Sequence, residues 1–495
     1  MREEILINIT PQENRVAVVE NGMLQEVHLE RSANRGIVGN IYKGIVSRVM
    51  PGMQAAFVDI GQEKAAFLHV ADIFTAQDLN QEAPELQQEV LQNTHNTDIA
   101  TLLRVGQKIV VQVIKDPLGT KGARLTTHIT IPSRYLVLMP DYKHIGVSQR
   151  IADEEERARL RELLSDKNNA KYGYIIRTAA EKVEERELKR DSDFLNKLWS
   201  AIESNSKKVK APGLIHEDLK LELRIMRDTL ADDIERIRID NAQAKDRISS
   251  FIKKFSPELL SRVELYQGER PIFDLYNIED EIKKALERKV QLKSGGYLIV
   301  DQTEAMTTID VNTGAFVGHK TLEETIFRTN LEAANALARQ LRLRNLGGII
   351  IVDFIDMQDT EHKRQVLRTL EKALDRDQVK TQITEVSSLG LVEMTRKRSR
   401  ESLEHLMCEP CQQCNGRGFV KTSVTVCYEI FREISRAARA YEVQKFLVLA
   451  SQEVVESLLD EEANSLAELE GDIGKPIRLQ AEALYSSDQF DVVLI

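Results

Sequence analysis

Over the first 35 positions the hydrophobic residues fall in short runs: Ile5-Leu6-Ile7-Asn8-Ile9, Arg15-Val16-Ala17-Val18-Val19 and Leu24-Gln25-Glu26-Val27-His28-Leu29. Runs of this length predict strands, and Asn21-Gly22 between the last two predicts a hairpin. From Gly36 the runs become glycine-punctuated: 39–46, 54–61, 65–70, 108–114 and 123–131. Five short strands over about a hundred residues suit a small barrel. Residues 75–104, rich in Gln, Asn and Glu, read as a loop or frayed helix. Residues 151–167 and 181–270 have mostly helical spacing, with a strand at Tyr172–Ile176 between them. After Lys293-Ser294-Gly295-Gly296, strands are expected at 297–301 and 306–310, then a helix over 321–345 with a Thr321/Glu324 capping box and Gly347 as its C-terminal cap. Ile349-Ile350-Ile351-Val352-Asp353 has the continuous apolar character of a strand buried on both faces. The pattern predicts an α/β multidomain chain with no internal repeat.

Composition narrows this further. At 495 residues, 42% hydrophobic and 29% charged, the chain can bury several cores and is neither fibrous nor wholly disordered. No apolar run reaches membrane-spanning length. Met1-Arg2-Glu3-Glu4-Ile5 lacks the order of a secretory signal, and four cysteines confined to 408–427 make no disulfide framework. The expected location is the cytoplasm. A net charge of −10 argues against a nucleic-acid partner only until it is resolved along the chain. Residues 452–495 carry eleven acids and two bases, so nearly all of the excess lies there, and basic runs such as Arg396-Lys397-Arg398 survive elsewhere.

Three groups of residues carry candidate chemistry. Asp310 and Asp353 each lie at or near the end of a hydrophobic strand; if those strands are neighbours, the carboxylates converge where open α/β sheets place their sites. Two such carboxylates suit Mg²⁺, with water and phosphate oxygens completing the shell. Asn312 shares the face of Asp310 and is suited to orient a water, while Glu304 and Asp356 are further candidates. The same spacing also fits aspartates that merely cap turns. On the barrel, Phe57 and Phe67 fall on consecutive strands, with Lys121 in the loop 119–122. They read equally as core or as a platform on which bases stack beside a phosphate-binding lysine. Cys411 and Cys414 form a CxxCxGxG knuckle, half of a tetrahedral zinc site. Cys408 with Cys427, or a second pair from another chain, would supply the rest.

Taken together, these residues resemble the bacterial ribonucleases of the E/G type. The resemblance rests on 36–42 with 54–59, Ile176-Arg177-Thr178-Ala179, Glu304–Asn312, Arg339–Arg344, Val352–Met357 and the knuckle, in family order along almost the whole chain. It implies an RNase H-like subdomain split between 1–35 and 215–280. An S1 barrel (OB-fold) at 36–128 and a 5′-phosphate sensor at 129–214 would be inserted in it. A DNase I-like catalytic subdomain at 281–400, a zinc link at 401–418 and a small C-terminal α/β domain at 419–495 would follow. The long arginine-rich extension of the E-type members is not expected.

The family likeness also implies roles. Asp310 and Asp353 would bind Mg²⁺ and Asn312 would place the attacking water. Phe57, Phe67 and Lys121 would line a channel for single-stranded RNA. Arg177, Thr178 and the backbone of Val137 would hold a 5′-monophosphate, and Lys380 would stand where the family has a phosphate-binding arginine. Cys411 and Cys414 would share a zinc with a partner subunit, giving a homodimer or a pair of dimers. The implied activity is endonucleolytic hydrolysis of RNA to 5′-phosphate and 3′-hydroxyl ends, in ribosomal RNA processing and messenger RNA decay. The competing expectation is a non-catalytic RNA-binding scaffold dimerised by zinc, for which the aspartate pair would be structural.

Overall fold

The computed structural model describes residues 3–74, 98–117, 121–151, 153–164, 172–229, 234–314, 322–377, 379–387, 389–398, 400–414 and 416–495. Of the expected loop or frayed helix at 75–104, residues 75–97 lie outside them, as do the capping residue Thr321 and Asn415 of the knuckle, and the remainder holds the short helix Ile99–Leu102. The chain forms two compact units, one ending at Leu403 and the other beginning at Glu404. No helix among the described residues is long and apolar enough to cross a membrane.

The first unit is built on a five-stranded sheet. Strands Glu3–Ile9, Glu13–Glu20 and Met23–Arg31 form an antiparallel meander, with Asn21 and Gly22 both at positive φ (50° and 78°) in the turn. Strands Ile234–Ile239 and Val263–Leu265 then add in parallel beyond Glu3–Ile9. Helices Leu221–Thr229 and Ala242–Phe255 cover one face through Ile5, Ile7, Ile237 and Ile248. The segment 181–270 is mostly helical, as its spacing predicts, but three short strands interrupt it. That segment holds helices at Glu185–Lys208, 221–229 and 242–255, but strands at Gly213–His216, 234–239 and 263–265. The charges at Glu235, Arg236 and Arg238 give Ile234–Ile239 a helical look, while the buried Ile234, Ile237 and Ile239 place it in the middle of a sheet.

Between Arg31 and Ile234 two further bodies are inserted. Strands Ile41–Met50, Ala55–Asp59, Ala66–His69, Arg124–Thr126 and Lys108–Lys115 follow one another around a barrel, closed by pairing of the last with the first. Gly213–His216 adds to its Ile41–Met50 strand. A four-stranded sheet follows, ordered Ile145–Val147, Gly173–Ile176, Leu136–Met139, Ile131–Pro132. It packs with helices Glu154–Leu164 and Glu185–Lys208.

The remaining sheet of this unit has six strands, ordered Lys289–Gln291, Tyr297–Gln302, Met306–Asn312, Gly348–Asp353, Leu391–Arg396, Thr381–Val386. Helices Leu322–Leu343 and Thr360–Leu374 pack on one face against Leu298, Ile309, Ile350, Val352 and Met394. The other face is open: Ile349 is 49% exposed and Ile351 is half-buried. The 349–353 strand is thus buried on one face rather than two. The 322–343 helix ends in a Schellman turn in which Leu346 N–H donates to Leu341 O and Asn345 N–H donates to Arg342 O. Its left-handed residue is Asn345 (φ 50°), so Asn345 takes the capping place expected of Gly347.

The second unit pairs helices Ser423–Ala440, Gln452–Leu459 and Ala463–Ile473 with a three-stranded sheet. Phe446–Ala450 is its middle strand, between Ile477–Ala481 and Phe490–Leu494.

Candidate functional site

Strands Met306–Asn312 and Gly348–Asp353 run parallel and adjacent, and Asp310 pairs directly with Asp353 in their register. A period of two puts Ile309, Val311, Ile350 and Val352 into the core, so Asp310 and Asp353 both stand on the open face. Asn312 donates its side-chain N–H to Asp310 Oδ2 at 2.7 Å. Burial, then the neighbouring charges of Asp310 and Asp356, push the Asp353 carboxyl above its ordinary range. Asp356 is therefore near enough for its charge to act on Asp353. Glu304 does not: it lies in the turn before Met306, at the opposite end of the strand.

No salt bridge neutralises Asp310 or Asp353 among the described residues, and no group of three or more His, Cys, Asp or Glu converges as a metal cage. Two solvent-facing, mutually repelling carboxylates fit Mg²⁺, which commonly keeps several waters and takes only one or two carboxylates from the protein. Lys380 is not brought to this pair. Asp353 is level with Leu391, whereas Lys380 precedes Thr381, which is level with Arg396 and, through it, Gly348. That is five residues along the strands, about 17 Å.

On the barrel, Ala56, Val58, Ala66 and Leu68 fill the interior, and Phe57 and Phe67 alternate with them outward. The two rings face each other across paired strands, edge to face at 6.1 Å, and His69 continues the row at 6.4 Å from Phe67. Both phenylalanines are half-buried on the outer side of the barrel, apart from the interior formed by Ala56, Val58, Ala66 and Leu68. Gly122 lies so close to the Ala65 carbonyl that a Cβ would sit 2.0 Å from it. This close approach brings exposed Lys121 beside the strand that carries Phe67. Exposed Arg48, which pairs in register with Phe57, was not singled out from sequence.

Arg177 and Thr178 follow the strand Gly173–Ile176, whose Ile175 pairs with Val137. The Arg177 guanidinium donates to Ser133 O (2.7 Å) and to Asp228 Oδ1 (2.8 Å). Thr178 Oγ1 lies 3.0 Å from Ser148 Oγ. Burial raises the Asp228 carboxyl, but hydrogen bonds and charge from Arg227 and Arg177 outweigh it and hold the group low. Arg177 and Thr178 are adjacent, with Arg177 fixed by an aspartate that the sequence did not point to, whereas Val137 is buried in the sheet between Pro132 and Ile175.

In the second unit, Cys411 is exposed and Cys414 half-buried. The backbone N–H of Gly418, with those of Gly416 and Arg417 and the Cys411 thiol, holds the Cys414 thiol below its ordinary value. Gly416 and Gly418 sit at φ 81° and 80°, which a side chain would disfavour. Cys427 is a core residue packed with Val426, Ile430 and Phe446, its thiol pushed up by burial. Burial among apolar neighbours makes it a poor ligand.

Residues 130–399 match the model of the Ribonuclease E/G family, 37–127 that of the S1 RNA binding domain, and 410–494 that of the RNase E/G, Thioredoxin-like domain. The chain is 55% identical over 495 residues to Ribonuclease G of Escherichia coli (strain K12), covering 100% of both chains. It is 54% identical to Ribonuclease G of Haemophilus influenzae over 99% of each. With Ribonuclease E of Haemophilus influenzae it shares 37% identity over 94% of this chain but 49% of that one. On the aligned length and on the match to more than half of its residues, this chain belongs to the Ribonuclease E/G family.

Proposed function

We propose that this chain is a Mg²⁺-dependent endoribonuclease that cuts single-stranded RNA internally, leaving 5′-phosphate and 3′-hydroxyl ends, and that a 5′-monophosphate on the substrate stimulates it. The observation that carries this reading is the in-register pairing of Asp310 with Asp353 on an open sheet face. A scaffold that only held RNA would have no use for two repelling carboxylates aligned there. Asp310 and Asp353 would hold the cation, which activates water and offsets charge on the phosphodiester. With its N–H on Asp310, Asn312 keeps its amide oxygen free to accept from a water and orient it. The outward rings of Phe57 and Phe67 accept bases by their faces, which a duplex keeps stacked and a single strand offers.

Arg177 and Thr178 would take a terminal phosphate through charge-assisted hydrogen bonds. Cys411 and Cys414, the latter with its thiol held below its ordinary value, would form half of a zinc site completed by the same pair of a partner subunit, making a homodimer. The names of the full-length relatives agree with RNA cleavage, and we extend the reading to ribosomal RNA processing and messenger RNA decay in the cytoplasm. The test is a short 5′-labelled RNA incubated with the chain, Mg²⁺ and then a chelator. Cleavage should start with the metal and stop on its removal, and Asp310→Asn or Asp353→Asn should bind RNA without cutting it. Wild-type rates in both variants would overturn the assignment.

A further inference from the structure

We propose that Asn330 is a positioning residue for the Asp310/Asp353 pair, acting as a side-chain clamp on the segment that leaves Asp353. The inference rests on the reading of that pair as the cation site and deepens it. Asn330 lies on the Leu322–Leu343 helix, in the apolar stripe formed by Ala333, Ala334 and Leu337, and is fully buried. An amide there carries a desolvation cost that only hydrogen bonds offset. It makes two, both to one residue: Asn330 Nδ2 donates to Ile355 O at 2.8 Å and Ile355 N–H donates to Asn330 Oδ1 at 3.1 Å. The amide thus takes the place of a neighbouring strand just where the Gly348–Asp353 strand has ended.

Ile355 is two residues beyond Asp353 and one before Asp356, so fixing both of its polar groups fixes the backbone between these carboxylates. The same helix holds the adjoining segments with two further side chains. Glu323 Oε1 accepts from the backbone N–H groups of Gln358 (3.3 Å) and Asp359 (3.2 Å). Glu332 accepts from those of Lys293 (2.5 Å) and Ser294 (3.1 Å), in the loop whose Gly296 packs on the Asn312 carbonyl. One helix therefore restrains the backbone on both sides of the site. Cation binding by two carboxylates from different strands depends on their spacing, and supporting contacts of this kind govern affinity without touching the ion.

Mn²⁺ binding to the full-length chain, followed by electron paramagnetic resonance, tests this without reference to turnover. Asn330→Ala should weaken Mn²⁺ binding by about 10-fold or more at the site that Asp353→Asn abolishes. The affinity for single-stranded RNA without divalent ions should stay within about twofold, since the barrel shares no partner with Asn330. The Mg²⁺ concentration for half-maximal cleavage should rise in parallel and excess Mg²⁺ should restore the rate, which a variant that had merely lost stability would not show. Unchanged Mn²⁺ affinity in a folded Asn330→Ala chain overturns the proposal. Should that variant not fold, half-buried Glu323→Ala decides: a few-fold weaker affinity supports the clamp and an unchanged one refutes it. If Asp310→Asn and Asp353→Asn also leave Mn²⁺ binding intact, it is the cation-site reading that fails.

Discussion

Replacing Asp353 by Asn should destroy cleavage while making the metal-free fold more stable. Asp310 and Asp353 are direct partners on adjacent parallel strands, so their Cα atoms are about 4.8 Å apart and their carboxylates at similar range. At about 5 Å two like charges repel by about 0.8 kcal/mol in water and about 3 kcal/mol at an effective dielectric constant of 20. Both side chains are exposed, so the lower figure governs and about 1 kcal/mol is the expected relief. For a unit of this size that is about 2 °C in the unfolding midpoint.

The pH dependence has a fixed sign. An acid whose folded pKa is raised binds more protons folded than unfolded, so it loses stability as pH rises through that window. The advantage of Asp353→Asn should therefore be present at pH 7 and fade below the ordinary carboxylate range, where Asp353 is protonated. Thermal unfolding of both chains in chelator across pH measures this, and adding Mg²⁺ should stabilise the parent alone. Cleavage should fall by more than ~100-fold, since losing a contact outside the coordination shell already costs ~10–100-fold. A variant less stable than its parent in chelator at pH 7 would refute the repulsion, and one that still cuts would refute the ligand role.

Three further outcomes are expected. Arg177→Ala should erase any preference for 5′-monophosphorylated over 5′-hydroxyl RNA in a cleavage assay; an unchanged preference removes Arg177 from phosphate recognition. Phe57→Ala and Phe67→Ala should each weaken binding of a single strand by about 1–3 kcal/mol in fluorescence anisotropy and leave a duplex unaffected. Native mass spectrometry should find one Zn²⁺ per two chains, lost in Cys411→Ser and Cys414→Ser and retained in Cys427→Ser. One Zn²⁺ per chain would point to ligation within a single subunit.

The sequence exposed whatever depends on local period. The Asn21-Gly22 hairpin, the barrel strands and the helix at 322–343 were legible because alternation and turn chemistry act within a few residues. The outward stance of Phe57 was present in parity, since Ala56 and Val58 flank it as interior residues, yet parity alone does not say which face is core. The strand Ile234–Ile239 has no local mark inside its helical surroundings, because its less-buried positions are charged and one of its two partner strands, Glu3–Ile9, lies over 200 residues away. The Asp310–Asp353 register likewise had no local signal, since 43 residues and a helix separate the two. Asp228 and Asn330 were missed for opposite reasons. Nothing near Asp228 marks it as the partner of Arg177, whereas an amide within the apolar stripe of a helix is a visible anomaly that could have been followed. Lys380 shows the limit of resemblance, which supplies a residue type but not the end of the sheet on which it stands.

The interruption of the first sheet between Arg31 and Ile234 bears on how the chain is made. Glu3–Ile9, whose Ile5, Leu6 and Ile7 are wholly buried in the finished molecule, leaves the ribosome about 200 residues before the parallel strand that covers its edge. At ordinary elongation rates that is a wait of about 10–40 s. Throughout it the nascent meander presents an apolar, unpaired edge of the kind that draws in other chains. Completion of the barrel and its neighbouring sheet in the interval brings the two halves within reach, so the order of synthesis bears on how the first sheet is completed.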